Sequence, residues 1–383
     1  MKSFLNRVFK SKGFSSFIAS LVSIVVGLLV GLIVLLFFDS AHAMNGFRHI
    51  VTAGLSDPGK LAKVFYQAAP LIMTGLSVGF AFKTGLFNIG ATGQYTIGAF
   101  CGLFCALQFH SPWYVALLAA MLGGAIWGAI PGLCKAFFNV NEVITSIMFN
   151  WIGLFLVNLI FSNMPELLAV GNRTIAIGSE SMIPKLGLDK LFGSPYMNAS
   201  IIIAVVFAVI SWIILTKTTF GYELRACGFN RNASVYAGIN AKRSIILSMV
   251  IAGAFAGIGG GIYYLNGTDT AQYTLEKSLL SMGFNGIPVA LLASSHPLGT
   301  IFGALFVSYI QVGGEAMQPE FVKEIIDIII AIIIYLAAFS LLTKEIIAKI
   351  VKGKRRNAVE LSAPAEPSAA PAQTTNDNGG VEK

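Results

Sequence analysis

The chain has 383 residues, 55% of them hydrophobic and only 11% charged, with a mean hydropathy of +0.75. A soluble domain carries about 25% charged residues, so this composition excludes a water-soluble globular protein. The net charge of +8 does not make a nucleic-acid patch, because the cations gather at both ends and in one central loop, the pattern that orients membrane helices.

A membrane span needs about 20 apolar residues, and the chain is read as about ten of them. Lys2, Arg7, Lys10 and Lys12 precede the run 14–38. A secretory signal core is shorter, about 7–15 residues, so 14–38 reads as a retained first span with its start held inside, although Ala41-His42-Ala43 resembles a cleavage site. Residues 39–60 are polar and form an external loop. Span two, 61–82, contains Pro70, which removes a helix hydrogen bond and predicts a kink. A short glycine-rich stretch, 83–91, leads to span three (92–109), and Ser111-Pro112 turns the chain into span four (113–137), interrupted at Pro131-Gly132. Span five is 143–161. The loop 162–196 carries Pro165, Pro184 and Pro195 with mixed charge and falls outside by alternation; span six is 197–216.

Residues 217–243 are polar, basic and glycine-punctuated, so they leave the bilayer on the cytoplasmic side. Two short helices are expected there, 222–228 and 231–237, separated at Gly228-Phe229-Asn230. Span seven, 244–265, places Gly253, Gly257 and Gly261 on one face at four-residue spacing, the pattern that lets helix backbones approach closely. An external loop, 266–278, precedes span eight (279–294, interrupted at Pro288), span nine (298–312) and span ten (322–342). Residues 1–345 thus read as one membrane domain. The tail 346–383 is basic up to Arg356 and then, after Val359, too polar and low in complexity to bury a core, the composition of disorder. Both ends then lie in the cytoplasm.

Cys101, Cys105 and Cys134 fall in or beside apolar runs, Cys227 lies in the central loop, and no Cys-x-x-Cys occurs. They read as small apolar fillers, with no metal site expected. The histidines at 42, 49, 110 and 296 lie near span ends, an interfacial placement. The chain has no phosphate-cradling Gly-x-x-x-x-Gly-Lys-Ser/Thr, no His-Glu-x-x-His and no Gly-x-Ser-x-Gly. No catalytic residue, metal or cofactor is therefore expected.

Two stretches carry a family resemblance. Gly221-Tyr-Glu-Leu-Arg-Ala-Cys-Gly-Phe-Asn-Arg-Asn-Ala-Ser-Val-Tyr-Ala-Gly-Ile-Asn240 resembles the ATPase-coupling loop of permease subunits of ATP-binding-cassette (ABC) importers. The branch is the one that moves branched-chain amino acids, simple sugars and nucleosides. Lys83-Thr-Gly-Leu-Phe-Asn-Ile-Gly-Ala-Thr-Gly-Gln94 is most similar to the nucleoside permeases. The resemblance covers roughly 60–345. It implies an all-α polytopic fold with inverted repeats around spans two to five and seven to ten. It also implies a separate cytoplasmic ABC ATPase, a second related permease subunit and an extracytoplasmic substrate-binding protein or lipoprotein, all in a bacterial plasma membrane. Glu223, Arg225, Gly228 and Arg231 are then the candidate coupling residues; without the resemblance, a loop that merely joins two spans accounts for their polarity.

For the solute, matching Asn/Gly interruptions at Phe87-Asn88-Ile89-Gly90 and Phe284-Asn285-Gly286-Ile287 suggest broken helices at a central site. Asn88, Gln94 and Asn285 offer donors and acceptors without net charge, joined by Thr92, Asn150 and Asn158; Phe87, Phe284 and Tyr95 offer stacking faces. The competing role for the amides is to satisfy backbone freed by the breaks. Charge deep in the spans is almost absent, Asp327 about four residues into span ten being the best candidate, which argues against an ion-coupled carrier. The expected function is a nucleoside-importer permease. A ribose-like sugar importer and an ion-coupled secondary carrier remain the alternatives.

Overall fold

The computed structural model describes residues 12–268, 271–275 and 277–338. The basic N-terminal cluster at 2–10, the end of the tenth run and the basic and low-complexity tail lie outside the described residues. The helices are α1 (Lys12–Phe38), α2 (Ala43–Thr52), α3 (Pro58–Lys83), α4 (Ala91–Gln108), α5 (Trp113–Phe138), α6 (Glu142–Ser162), α7 (Leu188–Phe192), α8 (Ser200–Lys217), α9 (Thr219–Phe229), α10 (Arg231–Tyr236), α11 (Ala241–Tyr264), α12 (Ser281–Leu292), α13 (Gly299–Glu315) and α14 (Lys323–Ala338). Each of the ten apolar runs coincides with one helix. By length and composition, α3, α5, α6, α8 and α11 are able to cross a membrane. In contrast, α12 has 12 residues, about 18 Å of helix against about 30 Å of hydrocarbon. It turns through 293–298 into α13.

Burial separates the helices by role. In α3, 94% of the apolar window is buried, against 33% in α5 and α6 and 28% in α8. α3 is a central pillar, and the exposed apolar sides of the other three are the surface a bilayer covers. α3 runs as one helix through Pro70, and the Thr74 hydroxyl donates to the Pro70 carbonyl at 3.2 Å. The glycine seam of α11 packs on α5: a β-carbon at Gly253 would lie 3.1 Å from Gly128 Cα, and one at Gly257 would lie 3.0 Å from Gly124 Cα.

Two features were not read from the sequence. Part of the stretch expected as an external loop forms α2, whose buried residues Ala43, Gly46 and Ile50 face Met317, Phe321 and Leu35. The long loop after α6 contains a two-residue hairpin, β1 (Leu168–Ala169) and β2 (Arg173–Thr174), and locks onto the loop after α11. Thr174 donates its backbone N–H to the Tyr273 carbonyl at 2.9 Å, and the Asn198 amide donates to Asn266 Oδ1 at 2.7 Å. Both loops cover the end of the bundle opposite α9 and α10.

Candidate functional site

The α3–α4 connection is the most densely braced part of the bundle. Asn88 is wholly buried; its amide donates to Ser77 Oγ at 2.9 Å and to Gln94 Oε1 at 2.8 Å, and the Gln94 amide returns a bond to Asn88 Oδ1 at 3.0 Å. Asn150 reaches across from α6, accepting from the Gly93 N–H at 2.8 Å and donating to the Ile89 carbonyl at 3.0 Å. A loop at this depth exposes backbone groups that water does not reach, so side-chain amides must take them. The second interruption meets the first: a β-carbon at Gly283 would strike Thr92, and one at Gly286 would lie 2.6 Å from the Thr74 carbonyl carbon. Phe87 stacks on Phe82, with ring centroids 5.2 Å apart, and Phe284 is half-buried.

A cavity of about 560 Å³ opens toward the end carrying the two long loops. Tyr95, Tyr263 and Tyr264 line one side, and Gln67, Gln272, Gln311, Gln318 and Asn285 supply neutral polar groups. The tyrosines belong to an aromatic ladder: Tyr66 stacks on Tyr263 at 5.4 Å, Tyr263 meets Tyr264 at 5.0 Å, and Tyr264 meets Tyr273 at 5.7 Å. Tyr273 in turn donates its hydroxyl to Asn158 Oδ1 at 3.2 Å. Among the described residues the buried Tyr95 hydroxyl has no hydrogen-bond partner, a costly state unless something else supplies one. At the rim, Lys63 pairs with Glu315 at 2.5 Å and Gln67 donates to the same carboxylate at 3.1 Å. Of the sequence-derived solute candidates, Asn285 and Tyr95 line this cavity. Asn88, Gln94, Phe87 and Phe284 do not. The glutamines and the ladder went unnoticed because they are spread over five elements, and a single chain shows no spacing that joins them.

At the opposite end, α9 and α10 form a helical pair. Thr218 caps α9 by accepting from the Gly221 N–H at 3.0 Å, and Asn230 caps α10 by accepting from the Ala233 N–H at 3.0 Å, the expected role of such residues. The expected break is thus Asn230 alone, and Gly228 lies within α9. Its close approach is internal: a β-carbon there would lie 2.8 Å from the Lys83 carbonyl oxygen and 2.9 Å from Gly85 N. Lys83 also donates to the Ser294 carbonyl at 3.3 Å, tying the same corner to the α12–α13 turn. The outward side of the pair is a groove of about 680 Å³ whose walls include Tyr222, Glu223, Ala226 and Phe229. Phe229 and Tyr236 are 91% and 92% exposed. Arg225 bonds within its own helix, to the Gly221 carbonyl at 3.3 Å, and Arg231 is exposed. Among the described residues, no group of His, Cys, Asp and Glu is arranged to hold a metal.

A multi-pass helical bundle with a polar cavity at one end and an exposed aromatic helix pair at the other is the layout of a membrane transport protein. Residues 60–338 match the model of the family described as the permease component of the branched-chain amino acid transport system, and the chain belongs to that family. It is similar to a guanosine ABC transporter permease of Bacillus subtilis, with 39% identity over 75% of this chain and 83% of the relative. It is also similar to a nucleoside ABC transporter permease of Lactococcus lactis, with 35% identity over 79% and 86%. A glucose ABC transporter permease of Haloferax volcanii is 29% identical over 72% and 74%. No solved structure matches the chain.

Proposed function

We propose that the chain is the membrane-spanning subunit of an ATP-driven nucleoside importer. The observation that carries this reading is the cavity, which presents the rings of Tyr95, Tyr263 and Tyr264 and uncharged amides in one enclosure. A nucleoside offers an aromatic face and several uncharged donors and acceptors, and such pockets discriminate by placing a few polar groups around apolar walls. The guanosine and nucleoside permeases among its relatives support the same solute class. On this reading ATP is hydrolysed by a separate cytoplasmic ABC subunit seated on α9 and α10. A second related permease and an extracytoplasmic binding protein complete the complex in a bacterial plasma membrane, with ten spans and both ends of the chain inside. Asn285 belongs to the solute route, whereas Asn88 and Gln94 hold the loop that shapes it.

In proteoliposomes containing the assembled complex, labelled guanosine is expected to accumulate only with ATP, to persist with an uncoupler, and to be competed by other nucleosides but not by ribose. Uptake that collapses with the uncoupler and continues without ATP identifies an ion-coupled carrier. Competition by ribose alone identifies a sugar importer.

The orientation has its own test. Asn172 sits in the hairpin turn between β1 and β2, with φ 55°. A cysteine at Asn172 in a cysteine-free background is expected to react with an impermeant thiol reagent applied outside intact cells. Labelling only after permeabilisation reverses the topology.

The two asparagines are expected to separate. Asn88→Leu strands the Gln94 and Ser77 groups that it bonds, and an unsatisfied buried polar group costs about 1–3 kcal/mol. Its thermal unfolding in detergent should fall with its transport. Asn285→Leu should unfold like wild type and transport poorly. Equal unfolding and equal transport in both variants contradict this division of roles.

A further inference from the structure

Asp327 is a carboxylate in the cavity that the proposed function leaves unused. It lies on α14, five residues into the helix, and lines the cavity together with Gln272, Gln311 and Tyr263. The other cavity carboxylate, Glu315, is taken by Lys63 and Gln67. Among the described residues no ion pair or hydrogen bond joins Asp327 to a side chain, although Lys323 lines the cavity one turn earlier on α14. The Asp327 side chain is exposed where it lines the cavity, so its carboxylate can meet a solute there.

A carboxylate accepts hydrogen bonds and donates none when ionised. Each glutamine of the cavity both donates and accepts, which matches those parts of a nucleobase edge where a donor lies beside an acceptor. An acceptor-only group matches a place where two donors stand side by side. In a nucleoside that place, common to every base, is the pair of ribose hydroxyls at C2′ and C3′. Stacking of the base on the tyrosines of α4 and α11 leaves the sugar to the remaining walls, one of which is α14.

We propose that Asp327 is a specificity-determining residue that accepts hydrogen bonds from the vicinal diol of a ribonucleoside. This rests on the nucleoside-importer reading and deepens it: the cavity distinguishes ribonucleosides from 2′-deoxynucleosides. The charged interaction also exacts a cost from the wrong ligand, because a solute lacking the hydroxyl leaves the carboxylate desolvated and unmatched.

The test measures ATP-dependent uptake of guanosine, 2′-deoxyguanosine and inosine by the reconstituted complex, for wild type, Asp327→Asn and Asp327→Glu. Wild type is expected to favour guanosine over 2′-deoxyguanosine by at least about tenfold in apparent KM. Asp327→Asn should raise the KM for guanosine by about that factor while leaving that for 2′-deoxyguanosine, the maximal rate and the basal ATPase unchanged, and Asp327→Glu should restore part of the preference. If Asp327→Asn keeps the wild-type ratio of guanosine to 2′-deoxyguanosine, the proposal is overturned while the importer reading stands. If instead the variant loses only the distinction between guanosine and inosine, the carboxylate reads the 2-amino edge of the base and the diol assignment is wrong. Wild-type protein that moves none of the three overturns both readings.

Discussion

A valine at Gly257 is expected to leave little folded protein in the membrane. At this point α11 and α5 touch through backbone. A β-carbon on Gly257 would collide with the Ala120 carbonyl oxygen and sit 3.0 and 3.1 Å from Gly124 Cα and N. None of these atoms belongs to a side chain that can rotate away, so the helices must separate. Overpacking of a tight core costs about 1–3 kcal/mol, occasionally more. Here the seam continues through Gly253, and α11 also contacts α4, where a β-carbon on Gly98 would lie 2.9 Å from the Gly257 carbonyl carbon. Gly257→Ala should lose part of the yield and Gly257→Val most of it, read by size-exclusion chromatography in detergent. A Val variant that elutes and unfolds like wild type would show that the two helices are not in close contact.

Phe229→Ala combined with Arg225→Glu is expected to release the ATPase while the permease itself inserts and folds normally. Phe229 is 91% exposed at the edge of the groove, and Arg225 carries the nearby positive charge. Loss of one partner from a buried interfacial charge pair costs about 2–5 kcal/mol, and a deficit of about 3 kcal/mol lowers binding roughly a hundredfold. Co-purified ATPase should fall accordingly, and transport with it. Retention of the ATPase at wild-type stoichiometry places the docking surface elsewhere. Gly228 serves as the contrasting position, since its neighbours are Lys83, Thr84 and Gly85 of the same chain. Gly228→Ala should keep the ATPase bound yet weaken the link between hydrolysis and uptake, because it moves α9 off the α3–α4 corner.

The periodic features were legible in the sequence. Apolar runs located ten helices, and the Gly253-Gly257-Gly261 spacing located a close helix contact, because both follow from local pattern and a uniform solvent. α2 was hidden because its apolar positions 43, 46, 47 and 50, although helical in spacing, are interspersed with Arg48 and His49 over a short length. Asn88 and Asn285 looked alike as Asn/Gly interruptions. In the fold the first closes a ring of bonds with Gln94 and Ser77 while the second lines the cavity, and that difference depends on neighbours far away in the chain. For the same reason Gly228 read as part of the break between two short helices, when it lies within α9 against the corner at Lys83–Gly85.

The wall that carries Asp327 is completed late. α14 packs along α1, with a β-carbon at Gly27 falling 2.9 Å from the Ile333 carbonyl oxygen and one at Gly31 falling 2.9 Å from Ile333 Cδ1. These two helices stand about 300 residues apart, and contacts of such separation form slowly. During synthesis α1 emerges long before its partner exists, so its glycine-notched face waits in the lipid while the rest of the bundle assembles beside it. A chain stopped before α14 would already possess its pillar, its glycine seam and its α9–α10 helix pair, yet its cavity would lack the wall that carries Asp327. Such a product would leave bare the glycine-notched face of α1, which α14 covers in the finished fold.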